Sequence, residues 1–314
     1  MSVPQAYLEK IRSVYPGLSL NTLDFNQDGM VNDVVVVNGE VVCRFGKHPW
    51  AAGALRQEAR VLALVREHTS TRVPRFEHLE SEFVSYRFLP GEPLTRDLLL
   101  RLTPRARRAV LADLGTFLRQ MHHIPRAATE TDGLQASDAF RSREDWLALL
   151  AQAEEHLFPF LMRHQRAWIL DHFAPIRSGT LDLSPTPRLI HGDLGVYHVL
   201  FDPAAGRLAG VIDFGTAGLG DPATDLAVLL SNYGESLVGE VLPVYPELGD
   251  QLDRARFWAG TLEVQWALAG LVHGDRALTL AHLGGARDVL PVGRQIRARL
   301  GARTIKGTSL PADG

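Results

Sequence analysis

The apolar positions of this chain follow two rhythms, and the first third is dominated by the shorter one. Between Ala6 and Tyr15 charged and apolar residues alternate at helical spacing until Pro16-Gly17, which predicts a short amphipathic helix. The stretch "MVNDVVVVNGEVVCRFG" then carries two β-branched runs separated by Asn38-Gly39. That dipeptide suits a type I′ turn because both positions tolerate positive φ, so an antiparallel hairpin is predicted. An earlier strand is expected around Leu20 to Phe25, joined to the hairpin by a flexible turn at Gly29. From Ala51 to His68, Leu55, Ala59, Leu62 and Val65 or Arg66 share one face, which predicts a helix packed on the hairpin. A further apolar strand in "EFVSYRFLPGEPLT" runs out at Pro90-Gly91, where a boundary between segments 1–90 and 91–314 is placed.

Downstream the longer rhythm takes over. Val110, Leu111, Leu114, Phe117, Leu118 and Met121 trace a helical stripe, and a second helical stretch runs from Asp145 to Pro159. One hairpin interrupts it: "HVLFDPAAGRLAGVIDFG" has two apolar runs around Pro-Ala-Ala-Gly. Centring that turn near residues 205 and 206 puts His198 and Asp213 almost opposite one another. Residues 303–314 are expected to be a frayed tail. The whole reads as an α+β protein of two lobes, a small N-terminal one with an antiparallel sheet and a larger, mostly helical C-terminal one.

Composition narrows the partners. The 314 residues leave room for two modest domains, and 46% hydrophobic with 22% charged residues is the balance of a folded globular protein. A net charge of -3 lacks the basic surplus of a protein held to a phosphate backbone, so nucleic acid is not an expected partner. The arginines of "RLTPRARRAVLADL" read as a solvated helix face. Cys43 is the one cysteine, which excludes an intramolecular disulfide and a multi-cysteine zinc site and suits a reducing compartment. With no apolar run of membrane-spanning length and no signal-like start, a cytoplasmic protein without membrane contact is expected, as a monomer or a homodimer.

The chemistry gathers in "IHGDLGVYHVLFD" and "VIDFG". If the hairpin forms, Asp193 in the preceding loop, His198 at one end and Asp213 at the other converge on one edge. A histidine and a carboxylate side by side hold Mg²⁺ against phosphate oxygens, while the remaining aspartate orients a hydroxyl and accepts its proton. These are the parts a phosphoryl transferase requires. Singly, each residue has a plainer role: His191 braces loop backbone, and Asp221 suits a helix N-cap ahead of Pro222.

"HGDLGVYH" followed by "VIDFG" resembles the catalytic and metal-binding segments of the aminoglycoside phosphotransferase family, small-molecule kinases that share the protein-kinase fold. The likeness extends to "RFGKHPWAAGALRQEARVL" and "DPATDL" and covers most of residues 20 to 235. It implies that Asp193 is the catalytic base and that Asp213 coordinates metal. Where many relatives carry asparagine this chain has His198, as do the 2″-type aminoglycoside kinases and the macrolide kinases. Arg44 falls where kinases carry a phosphate-pairing lysine, with Glu58 on the following helix as its partner; an arginine there is a planar fork, not a compact ammonium. The turn at Gly29 and Asn32 would cover the phosphates, and "SYRFLPGE" with Tyr86 and Phe88 would read the purine of ATP or GTP. Tyr86 is equally an aromatic at a strand end.

The acceptor is expected to be a small molecule, an aminoglycoside-like antibiotic first, with a macrolide or a choline, homoserine or sugar type of metabolite as alternatives. A nucleotide-binding regulator without catalysis is the reading from another class. Cationic aminoglycosides call for a carboxylate-lined cleft. "LLSNYGESLVGE" offers Glu235 and Glu240 among neutral residues, a departure from the strongly acidic 2″-type pattern. Farther on, Trp258, Glu263, Trp266 and Asp275 lie on an apolar helix, where the tryptophans serve either as plain core or as platforms for a sugar or macrocycle.

Overall fold

A computed structural model describes residues 2–27, 29, 31–48, 51–131 and 133–283; the tail expected at 303–314 lies outside them. The described chain divides into two compact units, Met1–Phe140 with Ser184–Ala259, and Arg141–Leu183 with the residues from Gly260 onward. Both sides of Pro90-Gly91 fall within the first unit.

The first unit begins with helix α1 (Gln5–Val14) and a five-stranded antiparallel sheet built from β1 (Leu23–Asn26), β2 (Asn32–Val37), β3 (Val41–Gly46), β4 (Phe76–Leu79) and β5 (Phe83–Arg87). The strand order is β1-β2-β3-β5-β4. Asn38 and Gly39 take φ of 54° and 66°, the double positive φ that a type I′ turn demands. That turn fixes the register Val36↔Val42 and Val34↔Arg44, and so decides on which face Arg44 stands. Val35, Val37, Val41, Cys43 and Phe45 bury against α1, whereas α2 (Ala51–His68) buries Leu55, Glu58, Val61, Leu62 and Val65.

Past Gly91 the chain joins different sheets. β6 (Glu92–Pro93) pairs with β8 (Val199–Asp202), which pairs with β9 (Arg207–Val211), and the short strands β7 (Arg188–Ile190) and β10 (Gly218–Gly220) make a second pair that the sequence pattern did not announce. A Cβ at Gly91 would stand 2.9 Å from the Cβ atoms of Leu200 and Ala209, so only glycine lets this connection lie flat on the hairpin. The β8–β9 register is Val199↔Val211 with an irregularity between Leu200 and Phe201. The turn is centred between residues 204 and 205, closing Asp202 on Arg207, one residue earlier than expected; the bulge recovers only part of that offset, so His198 faces Ile212, whose amide donates to the His198 carbonyl at 2.9 Å.

Helices supply the rest of this unit: α3 (Arg96–Arg101), α4 (Pro104–His122), α5 (Arg126–Thr131), then α8 (Ala223–Tyr233), α9 (Glu235–Val238) and the first part of α10 (Leu252–Val272). The stripe predicted on α4 is buried in full, from Val110 to Met121. Phe117, Leu194, Phe214, Leu226 and Tyr233 all sit within one apolar cluster. Leu194 and Phe214, each fully buried, are the anchors next to Asp193 and Asp213.

The second unit is helical. α6 (Arg143–Gln152) starts in a capping box between Ser142 and Asp145 and continues as a π turn over Ala153–Leu157. With α7 (Arg163–Ser178), the remainder of α10 and α11 (Arg276–Leu283), it encloses its own apolar contacts; a Cβ at Gly260 would stand 2.3 Å from the His172 ring, so the glycine lets the two helices approach.

Candidate active site

The segment from His191 to Asp225 is built around one buried carboxylate. Asp225, on the first turn of α8, is fully buried, and its oxygens accept from the amides of His191 (2.9 Å) and Gly192 (2.7 Å) and from His122 Nε2 (3.0 Å). Burial alone raises this carboxyl, but the hydrogen bond and field of His122, helped by His191, outweigh it and hold Asp225 below the usual carboxylate range. Since an ionised carboxylate only accepts, His122 donates from Nε2, and its Nδ1 lies 3.2 Å from the Tyr245 hydroxyl.

Gly192 itself takes φ of 84°, and a Cβ there would stand 2.9 Å from Ser137 Oγ and 3.0 Å from the Thr216 carbonyl. Any side chain would therefore push the loop off its seat.

His191 clasps the two halves of the site. Its Nε2 donates to the Ile212 carbonyl at 3.0 Å, and its Nδ1 accepts from the Asp193 amide at 3.3 Å. Burial holds its pKa below the ordinary imidazole value, so the ring stays neutral and keeps that tautomer. The bracing role expected for His191 is thus what the geometry contains, and the backbone it braces leads directly into Asp193 and Asp213.

Asp193, His198 and Asp213 do come together. His198 Nδ1 donates to the Asp193 carbonyl at 2.7 Å, which directs its Nε2 to Asp213 Oδ2 at 3.4 Å. The Asp193 carboxylate is 3.7 Å from His198 Nδ1. About half of each carboxylate side chain is open to solvent, 53% for Asp193 and 51% for Asp213, so both are free to meet a ligand. Asp213 has φ of 63°, a left-handed conformation that costs a non-glycine residue of order 1 kcal/mol or more and persists because Phe214 is locked in the core. Desolvation raises its carboxyl, yet the nearby Arg44 guanidinium above all offsets this and keeps it below the usual carboxylate range.

Arg44 reaches the same place from β3. It is buried, and its Nη1 bonds Glu58 Oε1 at 2.6 Å. Its Nη2 lies within 3.9 Å of where a Cβ on Gly215 would stand. Burial works against the guanidinium's charge, but Glu58, Tyr86 and Asp213 outweigh it and hold Arg44 cationic. Burial pushes the Glu58 carboxyl up, with Arg44 pulling it back. Gln57, the neighbour of Glu58, ties α2 to the loop behind Asp213 by donating to the Ala217 carbonyl at 3.3 Å. Lys47, three residues beyond Arg44, is engaged elsewhere: its ammonium bonds the carbonyls of Gln27 and Gly29, each at 2.6 Å, and pairs with Asp33.

The remaining expected residues are spread more widely. Tyr86 is buried opposite Val42, its ring stacked on Phe76, and burial raises its hydroxyl to about 12. The Phe88 amide donates to the Glu40 carbonyl and its side chain is exposed. Asn32 is buried on β2 with its Oδ1 lacking a hydrogen-bond partner among the described residues, and Gly29 abuts the Asn32 carbonyl. Glu235 is not an open carboxylate, because Arg256 grips both its oxygens, and Glu240 pairs with Arg107 at 2.9 Å. Glu263 and Trp266 belong to the second unit, where His282 donates to Glu263 at 2.7 Å and stacks on Trp266. Glu263 and His282 line a cavity of about 370 Å³ there, together with Trp168 and Gln165. Trp258 packs against the core of the first unit. Asp221 caps α8 through the Ala223 amide and also takes a bidentate contact from Arg254. Sequence reasoning missed His122, Asp225 and Arg254, whose partners are remote in the chain.

A sheet-borne Arg–Glu pair, a loop aspartate and a His–Asp pair at the ends of one hairpin define a kinase-type phosphotransferase that acts on hydroxyl groups. The chain belongs to the phosphotransferase enzyme family, whose model matches residues 22–258. It is 28% identical to viomycin phosphotransferase of Streptomyces vinaceus over 301 residues, 91% of this chain and all of that one. Among solved structures it is similar to APH(2″)-IIIa in complex with GDP and kanamycin, with a TM-score of 0.80 at 25% identity, over 89% of this chain and 96% of the other. A macrolide 2′-phosphotransferase type I shares the fold, at a TM-score of 0.71 and 23% identity over 93% of this chain and all of that one. The fold is thus the kinase-like α+β one, and the enzyme uses a nucleotide co-substrate. Among the described residues no helix is long and apolar enough to cross a membrane.

Proposed function

We propose that this enzyme transfers the γ-phosphate of ATP or GTP to a hydroxyl of a cationic antibiotic of the viomycin or aminoglycoside kind. The convergence of Asp193, His198 and Asp213 on one edge of a hairpin carries the reading. The likeness to viomycin phosphotransferase over 91% of this chain supports the acceptor class.

In this reading Asp193 accepts a hydrogen bond from the acceptor hydroxyl and takes its proton as the oxygen attacks phosphorus, within ordinary hydrogen-bond reach. Residues 1–90 hold the nucleotide, and residues 91–314 carry the catalytic segment and the acceptor walls. Arg44, steadied by Glu58, clamps phosphate oxygens with two parallel N–H groups. Gly29 and Asn32 lie over the phosphates, and Tyr86 and Phe88 border the purine.

The donor set fits a divalent cation. His198 turns its Nδ1 to the Asp193 carbonyl, which aims Nε2, a nitrogen that can ligate a metal, at the Asp213 carboxylate. An imidazole nitrogen and a carboxylate oxygen 3.4 Å apart are of the types that bind a divalent cation. His198 and Asp213 would hold Mg²⁺, which would supply positive charge against the negative charge that develops during phosphoryl transfer. Asp213 stays ionised through neutral pH because its carboxyl is held low, and the His191 clasp fixes its distance from Asp193.

The test is mass spectrometry of candidate acceptors after incubation with ATP or GTP: viomycin, kanamycin, a macrolide, choline and homoserine. Phosphorylated viomycin or kanamycin is the expected product, and Asp193→Asn should lower turnover by about 10²–10⁴ without changing the melting temperature. Turnover confined to choline or homoserine would make this a metabolic kinase. Nucleotide-dependent thermal stabilisation with no turnover of any acceptor would make it a regulator.

A further inference from the structure

Between Asp193 and His198 lies a four-residue loop that the chemistry above leaves unused. Its burial alternates: Leu194 is fully buried and Val196 packs against the core, while Asp193 and Tyr197 face outward. A turn closed by the His198 amide on the Gly195 carbonyl at 3.0 Å, together with the bond from His198 Nδ1 to the Asp193 carbonyl, holds this alternation in place. Tyr197 is 71% exposed, the most open large apolar side chain among the described residues. The loop thus places a large aromatic in water four residues beyond the proposed base, although burying its ring would be favourable.

Gly195 supplies an independent observation. Its φ is not positive, so the backbone does not demand glycine there. A Cβ at this position would meet only Asp193 Oδ1 at 3.8 Å and His198 Nδ1 at 4.0 Å, ordinary contacts that alanine would tolerate. The missing side chain therefore keeps space open beside the Asp193 carboxylate and relieves no strain.

We infer that Gly195 and Tyr197 form the acceptor's seat: the reacting hydroxyl lies over Gly195 against Asp193, and Tyr197 is the aromatic platform that holds a neighbouring amine or guanidine group of the acceptor. A cation over a tyrosine face near the Asp193 carboxylate is favoured by the ring and by the opposite charge alike. Adjacent residues have Cα atoms about 3.8 Å apart, so a platform next to His198 cannot stray far from the transferring hydroxyl. The inference rests on the antibiotic-kinase reading and assigns its specificity to this loop.

The experiment is steady-state kinetics with viomycin and kanamycin as probes, on the wild type and on Tyr197→Ala, Tyr197→Phe and Gly195→Ala. Tyr197→Ala should raise the acceptor KM at least tenfold, with the nucleotide KM, the Mg²⁺ requirement and acceptor-free nucleotide hydrolysis within twofold of wild type. Tyr197→Phe keeps the ring face and should behave as wild type, and Gly195→Ala should lower kcat/KM for the acceptor while hydrolysis by water persists. An unchanged acceptor KM in Tyr197→Ala, or an equal rise in the nucleotide KM or the Mg²⁺ requirement, overturns the inference while leaving the antibiotic-kinase reading intact. Failure of the wild type to turn over either probe overturns that reading instead, and the inference with it.

Discussion

Two carboxylates are buried beside the catalytic centre, and they are held in opposite ways. Asp225 is met by two backbone amides and an imidazole, all carried on elements packed into the main core. Glu58 leans on the guanidinium of Arg44, a side chain that in the proposed function also serves the nucleotide. Fixed donors pull Asp225 below its ordinary pKa, whereas burial leaves Glu58 above it. The difference separates scaffold from machinery: Asp225 freezes the His191–Gly192 backbone once and for all, and Arg44–Glu58 is a contact that phosphate can join.

Removing the scaffold should have the largest consequence. Asp225→Ala strands two backbone amides and an imidazole without their partner, and chemical denaturation should show a loss of about 3–5 kcal/mol. Turnover by whatever remains folded should fall too, because Asp193 loses its anchored loop. A loss below about 1 kcal/mol would mean that water replaces the carboxylate, and Asp225 would then not be the keystone described.

Glu58→Gln sharpens the contrast from the other side. Glutamine keeps the shape and one hydrogen bond but leaves the Arg44 charge without its counter-ion, so the nucleotide KM should rise about tenfold, equivalent to about 1.4 kcal/mol. The Mg²⁺ requirement should hold. An unaltered nucleotide KM would detach the pair from phosphate binding.

Acid titration of stability gives a smaller effect with a defined sign. The folded pKa of Asp225 lies below its unfolded value of about 3.9, so its contribution is complete above that pH and disappears as the pH falls through the folded value. The folded pKa of Glu58 lies above its unfolded value of about 4.3, so protonation there favours the folded state as the pH falls between the two. Asp225→Asn should therefore flatten the acid limb of the stability curve, and Glu58→Gln should steepen it. Equal slopes in both variants would refute the distinction.

The same contrast explains what could be read from the sequence. The Asn38-Gly39 hairpin, the α2 helix and the Asp193–His198–Asp213 convergence were legible because each depends on local rules: a turn dipeptide, a 3.6-residue period and an alternating strand pattern. Arg44 and its partner Glu58 came from the family resemblance, and the two side chains meet at 2.6 Å. The scaffold was not legible. Asp225 and His122 stand 103 residues apart, and nothing near either announces the other. Glu235 looked like an open carboxylate because its partner, Arg256, is 21 residues downstream on another helix. His198 came out one residue from its expected partner because the turn is centred at 204 and 205, closing Asp202 on Arg207, and the bulge at Leu200 and Phe201 makes up only half of that offset. The separate compaction of Arg141–Leu183 with the chain from Gly260 onward joins segments that no composition change marks.

The claim that His198 and Asp213 jointly hold the cation that grips the nucleotide is tested most directly by isothermal titration of ATP and GTP into the wild type, His198→Ala and Asp213→Asn, each with and without Mg²⁺. The account predicts that Mg²⁺ tightens nucleotide binding to the wild type, that Asp213→Asn abolishes the gain and that His198→Ala raises the Mg²⁺ concentration needed for it, with metal-free binding unchanged in both. A Mg²⁺ dependence identical in all three proteins would contradict it.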